Sequence, residues 1–260
     1  MTKDSEAQGV QSVDRALRIL EHLARQSEGA RLSDLARGLG LAVSTTHRLL
    51  TTLEKRGFAQ ASAESGLWHV GRRAYFVGSA YGRRVNYAAV ALPYLRRLRD
   101  ATRETANLGV LDDGEVITVA QVESREIMRA IAPPGGRAPV INSAMGKAMI
   151  AAWPDAAILD LIRRNGLQPL TATSLMRPEA VLAEIARIRL EGYAVDDEEF
   201  LPGMRCVAAA ILSAEGEPLF AISISGLAAR VTQDRIARCG QTVSLIAQQL
   251  AATLMGEADA

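Results

Sequence analysis

Ser44, Thr45, His47, Arg48 and Thr52 are spaced to share one side of a helix, and each can meet a nucleic acid. The opposite side carries Thr46, Leu49, Leu50 and Leu53, at i, i+3, i+4 and i+7, which marks a buried face. The guanidinium fork of Arg48 matches O6 and N7 of guanine. The hydroxyls of Ser44, Thr45 and Thr52 suit phosphates or a thymine methyl, and His47 is either a solvated surface residue or a further contact. The exposed start of this helix also favours an anion. A second constellation lies near the far end of the chain. Ser223 and Ser225 are two apart in a strand-like run, so both hydroxyls face one way, either into solvent at an edge strand or as donors to a carboxylate or carbonyl. Ser143-Ala144-Met145-Gly146 opens a helix whose first N–H groups favour an anion. Asp196 opens the run Asp196-Asp197-Glu198-Glu199, which reads either as a solvated acidic turn or as an acceptor for a ligand hydroxyl or a water.

These residues need elements to hold them. Residues 1–11 are polar and aperiodic, and read as a loose tail. A first helix follows Ser12 as N-cap, with Val13, Ala16, Leu17, Leu20 and Leu23 as its buried stripe. Ser33 caps a second helix that Gly40 stops, and the third runs from Val43 to Arg56. The next stretch, FAQASAESGLWHVG, reads as a hairpin around Glu64-Ser65-Gly66. Three helices and a hairpin make a winged helix-turn-helix over residues 12–72, whose third helix enters the major groove. Residues 73–103, Arg-rich and helical in pattern, read as a linker. From 104 to 256 the period changes to an α+β pattern. A hairpin turns at Asp112-Asp113-Gly114, and another strand precedes a Gly/Pro-rich loop, Pro133–Pro139. Helices follow at Ser143–Trp153, Asp155–Asn165 and Pro178–Glu191. Strands return at Tyr193–Asp196, Arg205–Ser213 and Pro218–Ser225, before a closing helix from Thr232 to Leu254.

Charge divides the same way. The 260 residues carry a net charge of +1, but residues 1–103 hold 17 Lys/Arg and 9 Asp/Glu, and the rest hold 13 and 20. A basic front and an acidic rear suit either a polyanion partner for the front alone or arginines that solvate helix faces. Hydrophobic residues make up 48%, enough for a sizeable core, and aromatics only 4%, so aliphatic side chains must fill it. No run of about 18 apolar residues is present, so no membrane partner is expected. The first ten residues lack a signal-peptide core, so a cytoplasmic location is expected.

Taken in order, several motifs resemble the IclR family of bacterial transcriptional regulators. They are SVDRALRIL (12–20), STTHRLLTTLEKRGF (44–58), Glu104-Thr105, GRAPVINSAMGKAMIA (136–151), GYAVDDEE (192–199), GMRCVAAA (203–210) and AISISG (221–226). The resemblance covers roughly residues 11–255. It implies a winged helix-turn-helix joined to a GAF-like effector-binding domain, in a dimer or dimer of dimers. It implies a partner in double-stranded operator DNA, with half-sites related by a two-fold axis, and a small organic acid or carbonyl effector. Repression of a catabolic operon is the commoner habit of such regulators, activation the alternative. It also implies ligand contacts at Ala144, Met145, Asp196, Cys206, Ser223 and Ser225. Met145 and Met204 are either ordinary core or an adaptable cavity wall, and Arg137 sits in the loop over the pocket as a partner for an anion. The chain departs from the family at Ile141-Asn142-Ser143, in place of a His-Cys-Thr-like run, and at Ala210, where Pro is common. Both lie near the expected pocket.

Enzyme readings fail on the residues. A nucleophilic Cys206 needs a base, but His22, His47 and His69 all lie in the first domain. The carboxylate of Asp196 would raise a thiol pKa rather than lower it. Gly146-Lys147 is not a phosphate loop, because Ile141 and Ala148 stand where Gly and Ser/Thr are needed. No histidine in the second domain completes a metal set with Asp196 and Cys206. A non-catalytic protein without metal or cofactor is expected. The intact polar face of the third helix argues against an adaptor that no longer binds DNA.

Overall fold

The computed structural model describes residues 10–26, 28–84, 87–127 and 133–258, with backbone alone at 79–84 and 257–258. The chain folds as two compact units, residues 1–85 and 86–260.

In the first unit, α1 (Gln11–Ala24), α2 (Leu32–Leu39) and α3 (Val43–Lys55) precede β1 (Ala59–Ala61), β2 (Trp68–Val70) and α4 (Arg72–Arg84). Gly40 closes α2 in the left-handed region, at φ 63°, which a glycine enters without steric cost. The two strands pair antiparallel, and Ala30 bridges to Trp68 beside them. Ile19, Leu23, Leu35, Leu50, Ala59 and Trp68 form the core. Two expectations change. Ser12 and Ser33 lie inside their helices, and Val10 and Arg31 hold the N-cap positions. The stripe of α1 is also rotated. Val13 and Leu17 are exposed (55% and 54%), whereas Ile19 and Leu23 are buried with Ala16 and Leu20 beside them. The register in which α1 meets its neighbours decides this, and two overlapping apolar rows cannot be told apart by period alone.

The second unit runs α5 (Tyr87–Thr102), β3 (Thr105–Asp112), β4 (Glu115–Val122), β5 (Arg137–Pro139), α6 (Ala144–Ile150), α7 (Asp155–Asn165), α8 (Pro178–Glu191), β6 (Ala194–Asp197), β7 (Met204–Leu212), β8 (Pro218–Leu227) and α9 (Gln233–Ala258). Its sheet has the order β5-β4-β3-β8-β7-β6, and every neighbouring pair is antiparallel. Period-two alternation splits its residues between two cores. Leu108, Val207, Ala209, Phe220, Ile222 and Ile224 pack with α5 and α9. Cys206, Ala208 and Ala221 turn to the other face, with α6, α7 and α8. This is an α+β architecture.

The stretch expected as a linker, 73–103, forms α4 and α5. Of these, α5 is integral to the second unit, with Ala91, Leu95 and Leu98 fully buried. Residues 137–139, expected within a loop, form β5 against Glu115–Ile117 of β4. The strand expected before Pro133 falls largely on 128–132, outside the described residues. Among the described residues, no helix is long and apolar enough to cross a membrane.

Candidate nucleic-acid interface and ligand pocket

On α3, Thr46 and Leu50 are buried, Leu49 and Leu53 partly so, and the polar side is free. Ser44, His47, Arg48 and Thr52 are exposed and Thr45 is half-buried. The helix starts at Ala42, which offers no side-chain cap, so its first N–H groups stay available to an anion. Thr45, His47, Arg48 and Thr52 share a shallow groove with Ser12 of α1 and with Thr51 and Lys55. Thr51 and Lys55 were not singled out from the sequence, though they lie one residue before and three after Thr52, and Ser12 was read there only as an N-cap. Thr52 Oγ1 donates to the Arg48 carbonyl at 2.9 Å, so its methyl and lone pairs are its outward features.

In the second unit, a cavity of about 260 Å³ opens on the α6 side of the sheet. Its wall includes Ala144, Met145, Asp196, Met204, Cys206, Ser223 and Ser225, so the structure brings all seven expected residues together. The pairing of the strands explains this. Cys206 lies opposite Ser225 across β7 and β8, and Asp196 lies opposite Cys206 across β6 and β7. Ser143 caps α6 by accepting the Gly146 N–H, which holds Ala144 and Met145 at the cavity wall. The close approach of α6 to the loop before it requires a glycine. A Cβ on Gly146 would stand 2.2 Å from the Val140 carbonyl oxygen. Because α6 has only seven residues, its dipole is weaker than the sequence reading supposes. The side-chain donors carry more of the polarity.

Asn107 on β3 is the missed residue. Its Nδ2 donates to Ser225 Oγ at 3.0 Å and to Ser223 Oγ at 3.3 Å, while its Oδ1 accepts from Gln121 Nε2. The two serines are therefore a positioned pair in a network. The signal was a buried-strand pattern interrupted by one amide, in Thr-Ala-Asn-Leu-Gly-Val-Leu. Thr118 and Phe200 also line the wall. Of the positions expected to depart from the family pattern, Ser143 lines the cavity but Asn142 and Ala210 do not; Asn142 Nδ2 instead donates to the carbonyls of Gln168 and Glu199.

The electrostatics of the pocket are set by burial. Desolvation pushes Asp196 up to about 6, against the backbone N–H groups of Glu199 (2.8 Å) and Phe200 (3.3 Å) that bind its Oδ1. Burial lifts the Cys206 thiol well above its usual range and Asp196 adds to this, so Cys206 stays protonated, its S–H donating to Ser225 Oγ at 3.2 Å. A protonated, buried thiol is a poor nucleophile. Arg137 lines the cavity but is held by Glu115 and Asp112, each at 2.7 Å, so the expected free partner for an anion is already matched. Behind the wall, the fully buried Lys147 ammonium meets the Glu199 carboxylate and lies 3.8 Å from Glu184.

Residues 12–63 match the IclR helix-turn-helix domain, and residues 79–252 match the C-terminal domain of bacterial IclR transcriptional regulators. The chain is 40% identical over 243 residues to the transcriptional repressor IclR of Escherichia coli K12, covering 93% of this chain and 89% of that one. The crystal structure of Thermotoga maritima IclR shares the fold with a TM-score of 0.72 at 26% identity, over 94% of this chain and 98% of that one. An IclR homologue from Microbacterium hydrocarbonoxydans, solved with 4-hydroxybenzoate, superposes with a TM-score of 0.82 at 22% identity, over 94% and 99%. A helix with an outward polar face and these matches along nearly the whole chain place the protein among DNA-binding transcription regulators rather than enzymes: the chain belongs to the IclR family.

Proposed function

We propose that this regulator is a repressor whose residues 12–72 bind operator DNA and whose residues 104–256 bind a small organic acid or related carbonyl compound. The effector shifts DNA affinity, with a coupling on the order of 1–3 kcal/mol. The observation that carries this reading is the convergence of Ser223, Ser225, Asn107 and Asp196 on one cavity, in a different unit from the polar face of α3. Such a convergence of a few polar groups on an otherwise apolar wall suits a small metabolite. The volume of about 260 Å³ is near the lower end of the roughly 300–1,000 Å³ of small-molecule sites. The protein acts as a two-fold dimer or dimer of dimers, matching an operator of two half-sites.

The direct test pairs two measurements. A thermal-shift screen of small carboxylic acids, with 4-hydroxybenzoate among them because the Microbacterium homologue was solved with it, identifies binders by a raised melting point. Fluorescence anisotropy on the protein's own promoter fragment then reads the change in DNA affinity. A binder that leaves promoter affinity unchanged, or equal affinity for promoter and random DNA, would refute the reading.

A further inference from the structure

We propose that this cavity takes up an acid together with one proton: the ligand binds as its carboxylate, and Asp196 becomes the carboxylic acid that donates to it. The proposal rests on the cavity being the effector site. It reverses the role that the sequence suggests for Asp196, from acceptor to donor, and makes this residue the determinant of which charge state binds.

The argument is an inventory of charge. Among the described residues, Arg137 is the one cation in the cavity wall, and it already faces two carboxylates, Asp112 and Glu115. Behind the wall, Lys147 on α6 faces Glu199 and Glu184. Arg205 on β7 faces Asp197 at 2.6 Å and Glu198 at 3.7 Å. Cys206, opposite Asp196 on β7, is a neutral thiol. An entering carboxylate therefore finds hydroxyl donors but, among those residues, no cation without a carboxylate of its own. It also finds Asp196, 2% exposed. Two carboxylates brought together where one of them is buried do not both stay ionised, and one proton serves the pair. The geometry selects the oxygen. Oδ1 is occupied by the N–H groups of Glu199 and Phe200, which leaves Oδ2 to carry the proton. That proton comes from water or buffer, and no bond other than O–H forms. The elevated pKa of free Asp196, about 6, shows that burial has already moved it toward the protonated state.

The test is calorimetry of the full chain at pH 7.5 in buffers of differing ionisation enthalpy, with lactate, pyruvate and 4-hydroxybenzoate as probes and their amides as neutral counterparts. A bound acid is expected to take up close to one proton per site, and its amide none. The dissociation constant for the acid should rise about tenfold per pH unit from 7 upward. Asp196→Asn keeps an acceptor for the two N–H groups and cannot ionise, so it should bind the acid with no proton uptake and no pH dependence. The proton count in the unmutated protein stands whether or not that variant folds. Ser223→Ala/Ser225→Ala locates the ligand. An acid that binds, is weakened by the serine pair and takes up no proton would overturn this inference and leave the pocket reading intact. Absence of binding by all three acids, or binding indifferent to the serines, would overturn the pocket reading and this inference with it.

Discussion

Asp196 carries its burial as a stability cost that depends on pH. Its folded-state pKa, about 6, lies above the roughly 3.9 of an unfolded aspartate, so the folded state holds the proton more tightly. Its contribution is fully present below pH 4 and is lost as pH rises through 6. Relative to Asp196→Asn, the unliganded protein should lose roughly 2–3 kcal/mol between pH 4 and 6.5 and nothing more above it, as read by urea denaturation across that range. A flat difference between the two proteins would mean that Asp196 is solvated. On α3, exposed Arg48 is the side chain suited to bidentate base readout. Arg48→Ala should cost about 1–3 kcal/mol on the promoter fragment and much less on random DNA, by anisotropy titration. An equal loss on both would make Arg48 a phosphate contact only. Residues of this kind were legible because their type is costly anywhere else. Asn107 was not, because its partners on β8 lie 116 and 118 positions away and only strand pairing brings them together.

Elements with chemical punctuation were the easiest to read. Pro178 opens α8 and Gly192 closes it in the left-handed region, so both ends follow from the sequence. Elements fixed by tertiary contact were harder. The three residues of β5 include a proline and exist as a strand because β4 pairs with them. Helix α5, Arg-rich on its outside, reads as a connector until its inner row of Ala91, Leu95 and Leu98 meets the sheet. The placement of α6 depends on one missing methyl group. Gly146→Ala should destabilise the second unit by about 1–3 kcal/mol, since the added Cβ meets backbone rather than a movable side chain. The same shift should weaken acid binding, because Ala144 and Met145 form part of the cavity wall. Melting curves with and without a bound acid report both effects. An unchanged melting point would show that the contact with Val140 relaxes freely.

For the molecule as a whole, the net charge of +1 conceals a basic first unit, with 13 Lys/Arg against 8 Asp/Glu in residues 1–85, and an acidic second, with 17 against 21, which favours DNA attraction at the first. Promoter affinity should fall by about 0.9 log unit per log unit of salt for each phosphate neutralised, and a titration from 50 to 200 mM salt measures that slope. A slope near zero would remove the phosphate contacts from the account. The alternation along β7 and β8 reaches further. Cys206, Ser223 and Ser225 face the cavity, while Val207, Ile222 and Ile224 face the core under α5 and α9, interleaved in the same two strands. Chemical preference and mechanical soundness are thus written in alternate letters. If the cavity is the effector site proposed above, a new specificity can be sought by varying the first set while the second stays fixed, with the sheet as the template.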